Sequence, residues 1–337
     1  MSATEAPAGA GKLATPQVAV IIPVLNRVDL LRRALDALDA QTHRDFEVVV
    51  VDDGSTDGSR EEAETRIVAG RPVRVVRNPG RGSMAARHHG AMSTAAELVA
   101  FTDSDCEPVK GWLAALVAEA DQGGDVVAGP TVPARPPRLL ERTMEGGDDG
   151  GYPTCNVLYR RDRFAQVGGF AADAYQQFGF RIGSRGQGLG LGEDTLIAWK
   201  VRRGGGQARF APDAIVRHAV FPPDFRDMIG RSWQVGFYPA MLKAIPELRE
   251  TLVSHRLFFG ARCRLFLYPA AAALVLRRRS VAAAFLAVWA VLRVRRSMRV
   301  GASPAQAAAV LPVEFIDDAV ASAALLWGSA RARSIVL

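Results

Sequence analysis

Residues 46–55 read FEVVVVDDGS: an apolar, β-branched run that breaks at Asp52-Asp53-Gly54-Ser55. Four consecutive valines leave no polar face, so this segment predicts a strand buried on both sides and closed by an acidic turn. Such strands belong to mostly parallel sheets clothed by helices, and the flanking sequence fits that reading. Upstream, residues 18–24 (VAVIIPV) form a second apolar run, separated from the first by an amphipathic stretch at 30–40. Downstream, helical segments at 58–69 and 83–96 alternate with strand-like runs at 73–77 and 98–102. A helix at 111–120 and a fifth strand at 125–132 complete this half. The predicted class is α/β, a Rossmann-like, mostly parallel sheet flanked by helices. Ligands in such sheets bind beyond the carboxyl ends of the strands. Asn26, Asp52, Asp53, Asp103 and Asp105 all fall there.

The remaining chain is less regular. A breaker-rich link at 133–137 leads to a strand at 155–160. A glycine-rich loop at 179–192 has the composition of a segment that moves over a ligand. A helix at 193–203 and a strand near 214–219 follow. Beyond about Phe225 the apolar runs 265–276 and 281–292 are each followed by arginines, among them Arg277, Arg278, Arg279, Arg293, Arg295, Arg296 and Arg299. Neither run reaches the roughly 20 residues that span a bilayer. They read either as a helical subdomain with basic ends or as helices lying on an anionic membrane. The expected organisation is a leader over 1–17, a catalytic domain over 18–225 and a helical, basic and apolar region over 226–337. The leader is rich in small residues, lacks a signal-peptide pattern and is expected to be disordered.

With 49% hydrophobic and 23% charged residues in 337, the chain is globular in composition. Its net charge of +7 favours an anionic partner. The arginines lack interleaved stacking aromatics, which argues against nucleic acid. Three scattered cysteines without a CxxC pair exclude a zinc ribbon and point to reduced thiols.

Asp103-Ser104-Asp105 ends the fourth strand. Two carboxylates at i and i+2 offer hard oxygen ligands suited to Mg²⁺ or Mn²⁺, although the same pattern is common in solvated turns. Its context is more specific. VAVIIPVLNR, FEVVVVDDGSTDGS, NPGRGSMAARHHGA, VAFTDSDCEP, NVLYRRDRFAQVGGF and GEDTLIAWKVRRGG occur in that order. Over about residues 18–222 the chain thereby resembles the family 2 glycosyltransferases, whose nucleotide-sugar-binding domain has the GT-A fold.

That resemblance implies a set of roles. Pro23, Asn26 and Asp53 would line the nucleoside pocket, with Asp53 accepting a hydrogen bond from the base and Asp52 shaping the turn. Arg87 would lie near the base or phosphates, with Arg81 a weaker phosphate candidate; His88 stands where an asparagine is more usual. Asp103 would contact the ribose, and Asp105 would bind the metal with His218. Asp194 would be the general base, with Glu193 supporting it. Cys155-Asn156 and Arg160-Arg161 would lie on the acceptor side. The processive QxxRW pattern is absent. The implied activity is inverting, metal-dependent transfer of a single sugar from a nucleotide-sugar, UDP-linked, to a hydroxyl acceptor that is lipid-linked or at the membrane surface. The basic, apolar C-terminal tail, rather than the resemblance, suggests a cytoplasmic location, peripheral at the inner face of the cell membrane. A nucleotidyltransferase is the alternative enzyme, but Pro23-Val24-Leu25-Asn26-Arg27 occupies the place of its glycine-rich phosphate loop. A catalytically idle membrane-associated scaffold is the alternative outside enzymes.

Overall fold

The structure is a computed structural model and describes residues 14–80, 82–170, 192–260 and 262–337. Most of the leader, Arg81 and nearly all of the predicted glycine-rich loop therefore lie outside the described residues.

The elements run β1 (Val18–Val24), α1 (Val28–Asp39), β2 (Phe46–Asp52), α2 (Ser59–Glu64), β3 (Ile67–Val68), β4 (Arg71–Pro72), β5 (Arg74–Arg77), α3 (Ser83–Met92), β6 (Leu98–Phe101), β7 (Cys106–Pro108) and α4 (Trp112–Asp121). Next come β8 (Val126–Ala128), β9 (Thr131–Pro133), β10 (Val157–Arg160), α5 (Arg161–Gln166), α6 (Glu193–Arg203), β11 (Ala208–Phe210) and β12 (Val216–His218). The C-terminal part is helical: α7 (Phe225–Gln234), α8 (Tyr238–Ala244), α9 (Leu267–Val275), α10 (Arg279–Arg299), α11 (Pro304–Ala309) and α12 (Leu311–Ala332).

Among the described residues the main sheet has the order β11-β8-β10-β6-β1-β2-β5. Its pairs are parallel except that β10 runs antiparallel to both β6 and β8. Burial on both faces follows from the apolar runs. In β1, Ala19 and Ile21 pack on one face with Val49, Val51 and Phe101. Val18, Val20 and Ile22 pack on the other with Val48, Val50, Leu31 and Leu35 of α1, and Trp112 of α4.

The predicted fifth strand divides. Gly129-Pro130 separates β8 from β9, because proline donates no ladder hydrogen bond. β9 instead joins a second sheet, β7-β12-β9. The predicted helix at 58–69 stops at Glu64, and Ile67–Val68 pairs antiparallel with Arg71–Pro72 across a turn at Ala69-Gly70. β7, β11, α11 and α12 carry too few consecutive periodic residues, or too much alanine, to have been read from the sequence.

Helices α8 and α12 pack onto the sheet, while α9 and α10 form a small cluster of their own around Leu267 and Trp289. Leu242 of α8 and Leu325 of α12 are wholly buried in the cluster that covers one face of the sheet. α12 docks where Gly328 meets Gly236, so closely that a Cβ at Gly328 would fall 2.0 Å from the Gly236 carbonyl oxygen.

Candidate active site

The carboxyl ends of β1, β2 and β6 meet at one rim. A cavity of about 440 Å³ opens there, lined by Pro23, Arg27, Asp53, Arg87, Asp103 and Asp105 among others. A smaller cavity of about 180 Å³ adjoins it, sharing Asp103 and Asp105 and adding Asp194, His218, Thr154 and Cys155. The fold thus brings together residues that are up to 195 positions apart in the chain, from Pro23 to His218.

Asp53 braces the loop before α3. Its carboxylate accepts hydrogen bonds from Asn78 Nδ2 at 2.6 Å and the Gly82 amide at 2.9 Å. Asp52 is buried and accepts from the Ser55 amide at 2.9 Å, as expected of a turn-shaping aspartate. Asn26 does not line the donor-side cavity. It sits at φ 52°, and its carboxamide oxygen accepts from the Thr56 amide at 2.8 Å. Its side chain is spent on the turn, a role asparagine tolerates better than most residues. His88 also faces away, with its ring packed toward Phe164.

Arg87 is buried and donates from Nη2 to Asp103. Burial alone would lower its pKa, but the Asp103 carboxylate outweighs it and holds the guanidinium above its ordinary value. Asp105 is pushed up, by burial first and by the Asp103 charge second, while His218 and Arg27 pull the other way. Arg27 Nη1 lies 4.0 Å from Asp105, and its guanidinium stands 5.0 Å from the Phe221 ring centre. Sequence reasoning passed over Arg27, although its place directly after β1 in VLNR was a usable signal.

The small sheet positions His218. β12 pairs with β7 so that His218 lies opposite Cys106, next to Asp105. His218 Nδ1 lies 2.8 Å from the Ala219 carbonyl oxygen, to which it donates, and Nε2 lies 3.6 Å from Asp105 Oδ1. With Nδ1 donating to that carbonyl, Nε2 can present a lone pair beside the Asp105 carboxylate. Two acceptors facing one space suit a cation between them, and a backbone carbonyl on the far nitrogen is the usual support for a metal-ligating histidine. Asp105, Cys106 and His218 form one group with metal-ligand spacing. The oxygen and imidazole donors fit Mg²⁺ or Mn²⁺. Cys106 is fully buried, and a hydrogen bond with Cys155, then burial, push its thiol well up, so it is the weakest donor of the three.

Glu193 and Asp194 occupy the first turn of α6, after Gly192 at φ 84°. A helix start favours carboxylate charge, yet burial dominates here. Asp194 is raised to about 6 by burial, against hydrogen bonds from Thr195 and Thr154 and the charge of Arg87. Glu193 is raised to about 7, by burial first and by Asp194 second. Asp194 lines the small cavity, whereas Glu193 is packed behind it with Oε2 buried and unpartnered. An adjacent carboxyl pair poised near neutrality can exchange a proton with a substrate hydroxyl.

Residues 19–175 match the family described as Glycosyl transferase family 2. The glycosyltransferase AglE of Haloferax volcanii is 36% identical over 118 residues, which is 34% of this chain and 39% of that protein. The pre-mycofactocin glycosyltransferase of Mycobacterium tuberculosis is 27% identical over 240 residues, 64% of this chain and 45% of that one. The chain thus spans less than half the length of these curated relatives. Among solved structures, the mannosyltransferase PcManGT from Pyrobaculum calidifontis, in complex with GDP-Man and Mn²⁺, aligns over 95% of this chain and 88% of its own, at TM-score 0.54 and 22% identity. That likeness extends through the C-terminal helices and confirms the predicted GT-A-like α/β fold. Six ordered motifs and the matched model agree that residues 19–175 carry a Glycosyl transferase family 2 domain.

Proposed function

We propose that the chain transfers a single sugar from a nucleotide-sugar to a hydroxyl acceptor, with inversion at the anomeric carbon. The observation that carries this reading is the position of Asp194, in one cavity with Asp105 and His218. Asp105 and His218 would hold Mn²⁺ or Mg²⁺, whose positive charge offsets the charge of the departing diphosphate. Arg87 fixes Asp103 at the pocket wall, where its free oxygen can meet the ribose. Pro23 and Asp53 bound the nucleoside end. Asp194 takes the acceptor's proton as the acceptor oxygen bonds to the anomeric carbon. The bond from that carbon to the diphosphate oxygen breaks on the opposite face, so configuration inverts in a single displacement. Glu193, behind Asp194, supports this carboxylate rather than touching substrate.

The proposed donor is UDP-linked, from the Asp53 position. GDP-mannose is the natural comparison, because the similar mannosyltransferase was solved with it. The proposed place of action is the inner face of the cell membrane. Leu274, Val275 and Leu276 are 55%, 82% and 68% exposed and lead directly into Arg277, Arg278 and Arg279. Among the described residues no helix is long and apolar enough to cross a membrane, so the contact proposed is peripheral.

The test is release of UDP or GDP from matched nucleotide-sugars by the purified chain, with and without Mn²⁺. Turnover should require the metal and be lost in Asp105→Ala and Asp194→Asn. Full turnover in either variant would overturn the assigned roles, and no metal-dependent release from any donor would favour an idle scaffold.

A further inference from the structure

A third cavity, about 680 Å³, lies between the 137–145 segment and helices α7, α10 and α12. It shares Arg142, Thr143 and Arg231 with the small cavity that holds Asp105 and Asp194. The three spaces therefore run in series: the donor side, the reacting carboxylates, then this groove. Its volume is that of a small-molecule site.

The groove changes character along its length. At the neck, Arg142 Nε and Arg231 Nε approach the same oxygen of Asp227, at 2.9 Å and 3.4 Å. The two guanidiniums share the Asp227 carboxylate, and Asp317 also acts on Arg231. Burial holds the Arg231 pKa below its ordinary value, with Arg142 acting in the same direction, although Asp227 and Asp317 oppose both. Arg142 is also fixed by stacking 4.5 Å over Phe221. Beyond the neck the wall is apolar, with Leu140, Phe225, Met228, Val300 and Val313. Phe225 and Val300 remain 52% and 50% exposed in the groove. Carboxylates in the lining are mostly engaged: Glu141 by Arg135, Asp224 by the Asp227 amide, Glu314 by Arg293, and Asp317 by the Ser232 hydroxyl. Glu145 is exposed to solvent.

We infer that this groove seats an anionic amphiphilic acceptor, its phosphate or diphosphate between Arg142 and Arg231 and its apolar chain along Phe225, Met228, Val300 and Val313. The order matches the chemistry required: a reacting hydroxyl at Asp194, an anionic linker at the neck, then a hydrocarbon. Arginine pairs are suited to phosphate oxygens because their planar donors bind in pairs. The inference rests on the proposed sugar transfer for what the groove serves, but its binding test needs no donor.

The probe is dodecyl phosphate, titrated calorimetrically below its micellar concentration into the full chain, against inorganic phosphate and neutral dodecyl maltoside. Dodecyl phosphate should bind at least about tenfold tighter than either comparator. Arg231→Gln and Val300→Asp should each weaken it about tenfold, while Ile67→Ser, exposed on β3 away from the groove and the 274–279 tip, should bind as the wild type does. Val300 is half exposed, so its replacement leaves the core intact, and thermal melting checks that both groove variants are folded. Equal binding of inorganic phosphate would reduce the site to an anion contact and overturn the inference. So would equal binding of the neutral amphiphile, undiminished binding in both groove variants, or an equal loss in Ile67→Ser. Failure of the sugar-transfer reading would appear separately, as wild-type protein that cleaves no nucleotide-sugar.

Discussion

In the sheet region the residues with no solvent exposure are mostly aliphatic and aromatic, and Asp53, Asp103 and Asp105 sit on the rim. In the C-terminal helices the arrangement is inverted. Asp318, Arg293 and Glu314 are at most 7% exposed, whereas Leu274, Val275, Leu276, Val288 and Val291 face outward. Arg293 donates from Nε to Asp318 Oδ2 at 2.7 Å, and Trp289 Nε1 donates to the same oxygen at 2.9 Å. Glu314 lies 3.6 Å from Arg293, and Ser297 donates to it at 3.3 Å. The sheet region is held by apolar burial and keeps its charges for chemistry. Around α9 and α10 the helical region places charge in its interior and apolar side chains at its surface.

The largest expected effect separates these two uses of charge. Asp194→Asn should lower turnover by about 10²–10⁴-fold, the usual contribution of a general base, with little change in melting temperature. Steady-state release of the nucleoside diphosphate, with a parallel melt, checks both halves. Asp318→Ala should do the reverse. It leaves Arg293 buried without its main partner and should cost about 3–5 kcal/mol of stability. Chemical denaturation measures it. A cost below about 1 kcal/mol would mean that the helical interior relies on packing after all.

This contrast also explains what the sequence could reveal. The strands β1, β2 and β6 were legible because burial on both faces forces unbroken apolar runs, and the rim aspartates followed from topology. α6 was legible to the residue because its acidic start follows a glycine. Arg293 was misleading. In one dimension it is one of several arginines after an apolar run, and only the packing of α12 against α10 turns it inward to Asp318. Arg142 and Arg231 carried no local signal, since their partner Asp227 and their shared neck exist only once the 137–145 segment meets α7. The roles of Asp103 and Asp105 came from family resemblance, not from spacing.

The adjacent pair Glu193 and Asp194 gives a smaller effect with a definite sign. Asp194 must lose its proton to act as base, so activity should rise through about pH 6–7 and fall on acidification. Stability should move the opposite way. Glu193 holds its proton in the folded state up to about pH 7, against 4.5 as its ordinary value. The resulting stabilisation is full below 4.5 and is lost as pH rises through about 7. Glu193→Gln keeps the shape without the charge. It should match the wild type near pH 4 and exceed its stability by about 1–3 kcal/mol at pH 8. Melts across that range decide it; a glutamine variant no more stable at pH 8 would show that Glu193 is charged without penalty.

The smallest effect tests the outward face. α10 buries Ala282, Trp289, Arg293 and Ser297 on one side and turns Val281, Val288 and Val291 to the other. Exposed valines and leucines taken singly need no explanation. Three in a row, at 55%, 82% and 68% exposure before three arginines, form a compact apolar tip with a cationic collar. A bilayer with anionic headgroups satisfies both at once. A buried aliphatic side chain contributes about 1.5–3 kcal/mol at most, and an arginine near an anionic surface about 1 kcal/mol. Val275→Ser should therefore weaken sedimentation with phosphatidylglycerol vesicles about fivefold to tenfold. Replacing Arg277, Arg278 and Arg279 by glutamine should abolish the preference over neutral phosphatidylcholine. Neither change touches the interior ion cluster, so melting temperature should stay put. If Val275→Ser lowered it instead, the tip would belong to the fold, and the inversion between the two regions would end at α9.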